Sequence, residues 1–266
     1  MAKKTHADGE SAKVASSAKT PVPLRLFKDW AVKQSVTSPT AVNIYAENDA
    51  KRSAAVQQLK DLLIEHFVGN ENVLKAGGFA KALGIIQESL PTGKKARSGD
   101  LGELLAAEFV NSETTYKVAV AKLQWKSDKE TALHGNDIIG IRITDSRIEA
   151  IKGECKSRQS FKPSDAQEAL TALKKHDGRP NPASVAFIAK RLYEQERDEE
   201  ANVYRDLLTG RELRAKDLTH LVFVLSGNVP SAQLATVVDG KHKIQRQGAA
   251  VVVKDHADFI KSVFED

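Results

Sequence analysis

The stretch His134-Gly-Asn-Asp137-Ile-Ile-Gly140-Ile-Arg-Ile143, followed closely by Ile148-Glu-Ala-Ile-Lys-Gly-Glu154-Cys-Lys156, decides the reading of this chain. Ile138, Ile139, Ile141 and Ile143 form a β-branched run interrupted by Gly140, and Ile148 and Ile151 lead into the second segment, so both read as strands. Asp137 and Glu154 then stand at successive strand ends. Side chains alternate along a strand, which puts Glu154 and Lys156 on one face and Cys155 on the other. Two carboxylates and an ammonium converging on one spot make a divalent-cation site with a positive charge beside it. That is the equipment needed to hydrolyse a phosphodiester.

An acidic residue two positions before a lysine also arises by chance in a sequence with 28% charged residues. Asp49-Ala-Lys51 opens a helix-like run and Asp239-Gly-Lys241 lies in a turn-like Asp-Gly pair, so neither follows a β-rich segment. Glu154-Cys-Lys156 does. Upstream, Ser98 to Val110 reads as a helix with Leu101, Leu104, Leu105 and Phe109 on its apolar side and Ser98 or Asp100 as its cap. Glu103 then falls in the first turn. A carboxylate there complements the helix dipole, or it reaches toward the sheet and joins the metal site directly or through water.

An acidic helix, three strands with Asp137 on the second and Glu154-x-Lys156 on the third, and then a helix resemble the core of the PD-(D/E)xK nuclease superfamily. Arg97-x-Gly-Asp-x-Gly-Glu103, a basic strand at Tyr116 to Lys126, Gly135-x-Asp137-x-x-Gly140 and Gly153-Glu-x-Lys156-x-Arg158 resemble one branch of it more closely. That branch is the HamA family, the nuclease effectors of the Hachiman anti-phage defence system. The resemblance covers roughly Arg97 to Leu173. It implies an α/β, restriction-endonuclease-like core with a central mixed β-sheet flanked by helices, and cleavage of DNA with Mg²⁺, or Mn²⁺ in its place. It also implies an ATP-dependent helicase subunit that holds the nuclease in check. By position, Asp137 and Glu154 would bind the metal with Glu103 as the outer acid. Lys156 would orient or activate the attacking water and stabilise the pentavalent phosphorus. The superfamily often has Pro before the aspartate, where this chain has Asn136. Gln167 occupies a place where such nucleases sometimes keep a polar residue facing the site.

The chain has 266 residues, a formal charge of +5 and one cysteine. A modest basic excess favours polyanions, and its distribution brackets the proposed site. Lys122 and Lys126 lie along the expected basic strand, His134 in the loop before Asp137, and Arg158 beyond Lys156; all are candidate nucleic-acid contacts. A single cysteine excludes an intramolecular disulfide, and no Cys/His zinc spacing occurs. No apolar run is long enough to span a bilayer and no signal-peptide pattern is present, so the expected location is cytoplasmic. Without a Walker-type loop, the chain carries no ATP motor of its own.

Three stretches are expected: a flexible tail at 1–20, an α-rich N-terminal region at 21–92 that could bind a partner, and the nuclease-like domain at 93–266. Periodicity predicts helices over Ala50–Phe67, Val73–Leu90 and Ser164–Lys175, and a long helical stretch from Ala183 to about Leu208. Strands are expected at Leu218–Leu225 and Ala249–Val253, with Asp255 capping a terminal helix. His220, alternating with apolar neighbours, reads as a core histidine. Two other functions use the same features: a stand-alone restriction or repair endonuclease, and a catalytically silent nucleic-acid-binding adaptor subunit.

Overall fold

Leu218–Ser226 is buried along its whole length, as expected of a strand flanked on both edges and covered on both faces. The computed structural model of the chain describes residues 24–35, 41–69, 78–132, 135–144, 147–209 and 213–265. Among these, six strands form one mixed sheet: β1 (Ala31–Lys33), β2 (Val42–Glu47), β3 (Ile138–Thr144), β4 (Arg147–Arg158), β5 (Leu218–Ser226) and β6 (Gln245–Val252). Their order is β1-β2-β6-β5-β4-β3. The four inner strands run parallel, and the two edge strands are antiparallel to their neighbours.

The described helices are α1 (Arg52–Phe67), α2 (Phe79–Ser89), α3 (Lys94–Glu113), α4 (Pro163–Lys174), α5 (Pro182–Glu194), α6 (Asp198–Thr209), α7 (Ser231–Val238) and α8 (His256–Phe264). Alternation along the central strands divides them into layers. Leu221, Phe223, Leu225, Ala249 and Val251 face α1, α3 and α8, whereas Val222, Val224 and Ala250 face α4 and α7. The α5–α6 pair closes over Ile139, Ile141 and Ile148 at the other end of the sheet. None of the described helices is long and apolar enough to cross a membrane.

Several local expectations change. Tyr116–Lys126 is not a strand: it makes one isolated bridge, Lys117 to Ile141, and ends in a 3-10 turn at Lys122–Trp125. The side chain of Asn111 accepts from Val118 N at 2.9 Å, so a ladder donor is already taken. The stretch from Ala183 to Leu208 is two helices. Glu196 takes φ 58° and Arg197 N bonds back to Leu192 O, which turns the chain. The N-terminal region contributes β1 and β2 to the shared sheet as well as helices, and Phe27 and Trp30 pack on Phe109 and Phe259. Asp255 precedes α8 with φ 47° and no side-chain cap bond; its carbonyl accepts from Phe259 N. The tail at 1–20 and the start of the expected Val73–Leu90 helix lie outside the described residues.

Helix α3 starts at Lys94, one turn before Ser98. No side chain caps it, but the Glu130 carboxylate accepts from Thr92 N at 2.6 Å and Gly93 N at 2.9 Å, which places a negative charge just before the helix N-terminus. Ser98 and Asp100 are therefore interior residues, and Glu103 lies in the third turn, where the helix dipole gives it nothing.

Candidate active site

Position 153 holds the site together because it has no side chain. Ile138 of β3 pairs with Gly153 of β4, and a Cβ at 153 would lie 2.8 Å from Ile138 Cβ. This close approach sets Asp137, one residue before β3, against the backbone that carries Glu154. Asp137 Oδ2 accepts from Cys155 N at 2.8 Å. Glu154 and Lys156 project from the face of β4 that packs on α4, and Lys156 Nζ lies 3.0 Å from Glu154 Oε1. Lys156 Nζ also lies 3.0 Å from Glu168 Oε1 on α4.

Glu103 approaches from the opposite face of the sheet. A Cβ at its neighbour Gly102 would meet Cys155 Sγ at 2.9 Å, so glycine lets α3 sit directly on β4. Glu103 Oε2 forms an ion pair with Lys122 Nζ at 3.1 Å but has no hydrogen-bond partner of its own. Lys122 Nζ donates instead to Asn136 O at 2.9 Å, which ties the residue before Asp137 to this cation.

The charges disturb one another. Burial, opposed by Lys122 and reinforced by Asp137, pushes the Glu103 carboxyl up to about 7. Burial and Asp137 also raise Glu154, against the pull of Lys156. Burial alone would lower the Lys156 ammonium, but Glu154 and Glu168 outweigh it and the net shift is upward. Its carboxylate partners keep it a cation.

These groups suit a hard divalent ion. Magnesium takes oxygen ligands, commonly one or two carboxylates with water and substrate phosphate completing the shell. Asp137 and Glu154 are two such carboxylates, each with one oxygen that accepts no protein hydrogen bond among the described residues. Glu103 adds a buried oxygen that likewise accepts no hydrogen bond but lies in the ion pair with Lys122. No group of three or more His, Cys, Asp or Glu residues among those described is gathered closely enough to hold an ion by itself. The fit is thus to two carboxylates and a third acid reached through water.

The other candidates separate sharply. Lys122 is in the site. The Lys126 side chain is only 3% exposed, and its ammonium bonds Asp100 Oδ2 at 2.8 Å and Lys129 O at 2.7 Å. A buried, paired ammonium would have to break these bonds to reach a phosphate, which weighs against a nucleic-acid contact at Lys126. Arg158 is half exposed and held by Asp165 at 2.9 Å. Gln167 is exposed and none of the site's hydrogen bonds involves its side chain, while the adjacent Glu168 reaches Lys156. His134 lies outside the described residues. Glu168 had a legible signal: Asp165 and Glu168, three apart on one helix face, match Lys156 and Arg158, two apart on one strand face.

A Hachiman protein HamA from Bacillus cereus is similar to this chain, with 26% identity over 178 residues, or 66% of this chain. The match spans 62% of that relative's length. The HamA family model matches residues 25–266 of this chain, which belongs to that family.

Proposed function

We propose that the protein is a metal-dependent nuclease of the PD-(D/E)xK type that cleaves phosphodiester bonds in DNA, as the effector of an anti-phage defence system restrained by an ATP-dependent helicase subunit. The observation that carries the chemistry is the convergence of Asp137, Glu154 and Lys156 at one end of the β3–β4 pair, with Glu103 behind them. The family membership supports the defence role and the partnership.

Asp137 and Glu154 would hold Mg²⁺ or Mn²⁺, and Glu103 would reach it through water. When bound, the metal would neutralise charge on the scissile phosphate and make a water more acidic. The chain's own residues do the rest. Cys155 N fixes the Asp137 carboxylate, so that its second oxygen keeps one direction. Lys156 remains an ammonium, so it acts as a charge beside the phosphate oxygens rather than as a proton acceptor. Glu168, 63% exposed, holds Lys156 from the solvent side and is displaced or retained as a phosphate arrives.

The test is cleavage of plasmid and single-stranded DNA by the purified protein with Mg²⁺, with Mn²⁺ and with EDTA, comparing wild type with Lys156→Ala. Metal-dependent cutting that falls by at least about 10²-fold in the variant is expected. Equal cutting by the two proteins overturns the assignment. If wild type is silent, the assay is repeated with a co-purified ATPase and ATP; silence there too leaves the adaptor reading.

A further inference from the structure

Beside the carboxylates, a cavity of about 250 Å³ runs inward from Glu103 and Asp137 between α3 and α5. We infer that this cavity receives one unpaired nucleobase of the substrate strand, next to the scissile phosphate. The inference rests on the nuclease reading and adds to it a preference for DNA with unpaired bases.

Three observations carry it. First, Glu103 and Asp137 are themselves among the residues that line the cavity. Phosphate and base belong to one nucleotide, so a phosphate at the acids leaves a base within reach of the opening. Second, away from the charged residues Glu103, Lys122 and Asp137 the lining is mainly apolar, with Val120, Ile139 and Ile188 and the ring of Phe187. An aliphatic slot with one aromatic face suits the π-surface of a base, whereas a phosphate or a sugar hydroxyl placed there would lose its hydrogen bonds.

Third, the polar groups at the cavity are already oriented. Asn136 Oδ1 accepts from Asn181 N at 2.7 Å, and Asn181 Oδ1 accepts from Ala183 N at 2.9 Å. Both carbonyl ends are engaged within the protein, and among the described residues neither NH₂ group has a hydrogen-bond acceptor, so each is left to offer. Two donors at the edge of an apolar slot match the carbonyl oxygens and ring nitrogens of a base. A base stacked in a duplex cannot enter; it must be single-stranded or flipped out.

The test uses the full chain in EDTA, so that nothing is cut, and two oligonucleotides: a fully abasic strand, and the same strand carrying a single 2-aminopurine. With one base available, the base itself sets the register. Wild type should bind the 2-aminopurine strand about tenfold more tightly than the abasic one, with a change in fluorescence as the base meets Phe187. Phe187→Ala, which removes the stacking wall, and Ala121→Phe, which fills the slot, should close that gap while leaving affinity for the abasic strand unchanged. Far-UV circular dichroism and thermal melts establish that each variant is folded. Equal affinity of wild type for the two strands overturns the proposal, as does a gap that persists in both variants, and an apolar side chain from a partner protein then becomes the occupant to test. Metal-dependent DNA cleavage without such a gap removes the base pocket alone; absence of both binding and cleavage, with the co-purified ATPase and ATP as well as without them, removes the nuclease reading with it.

Discussion

Replacing Gly153 with alanine is the smallest change that should pull the site apart. The new Cβ would stand 2.8 Å from Ile138 Cβ. Facing Cβ atoms in an antiparallel pair ordinarily stand about 4.5–5.5 Å apart, so the strands must part by on the order of 1.7 Å. Ile138 cannot swing aside, because the clashing atom is bonded to its backbone. The pair lies between Asp137 and Glu154, so parting stretches the Cys155 N to Asp137 Oδ2 bond, 2.8 Å in the native protein. Overpacking costs about 1–3 kcal/mol and the loss of a hydrogen bond to a charged group about 1.5–3 kcal/mol. Their sum, about 2.5–6 kcal/mol, is a large share of the roughly 5–15 kcal/mol that holds a domain folded. The thermal midpoint should fall by about 5–20 °C. If the protein cuts DNA as proposed, cleavage should drop by about 10²-fold from the misplaced carboxylate alone.

The assay is urea unfolding followed by far-UV circular dichroism, with the slope checked for two-state behaviour. Gly99→Ala is the matched control. It lies in α3 with no neighbouring atom within 4 Å of an added Cβ, so the same substitution should stabilise the protein there by about 0.5–1 kcal/mol. A Gly153→Ala variant within about 0.5 kcal/mol of wild type would refute the close-approach argument, because ordinary strand spacing absorbs an alanine at no more cost than that.

Glu103 and Lys126 give two further predictions. The Glu103 carboxyl, held near 7 against an ordinary 4.5, takes up a proton on folding, so its contribution is present at low pH and is lost as pH rises from about 4.5 through 7. In EDTA, Glu103→Gln should match wild type in stability near pH 4.5 and exceed it by up to about 3 kcal/mol at pH 8; parallel urea-midpoint profiles would contradict this. Lys126→Met leaves Asp100 buried without its cation and should cost about 3–5 kcal/mol, while the salt dependence of DNA binding stays as in wild type. A shallower salt slope with no loss of stability would instead return Lys126 to the DNA surface.

By itself, the sequence determined the features that are local. Ile138–Ile143 and Ile148–Ile151 read as strands because β-branched alternation is a property of neighbouring residues, and two-residue spacing alone places Glu154 and Lys156 on one face. The apolar side of α3 and the burial of β5 were legible for the same reason. Tertiary structure decided what depends on residues far apart in the chain. Glu130 holds the turn before α3, which starts at Lys94 and so leaves Glu103 outside the first turn; Asp100 holds the buried ammonium of Lys126. Glu168, rather than Gln167, meets Lys156, because the rotation of α4 is set by Ala166, Ala169, Leu170 and Leu173 packing on the sheet. The pull of Glu154 and Glu168 turned the shift of Lys156 upward, against burial. A side chain's type and spacing are written locally, but the partner that takes its charge or its hydrogen bond is chosen only when distant elements meet.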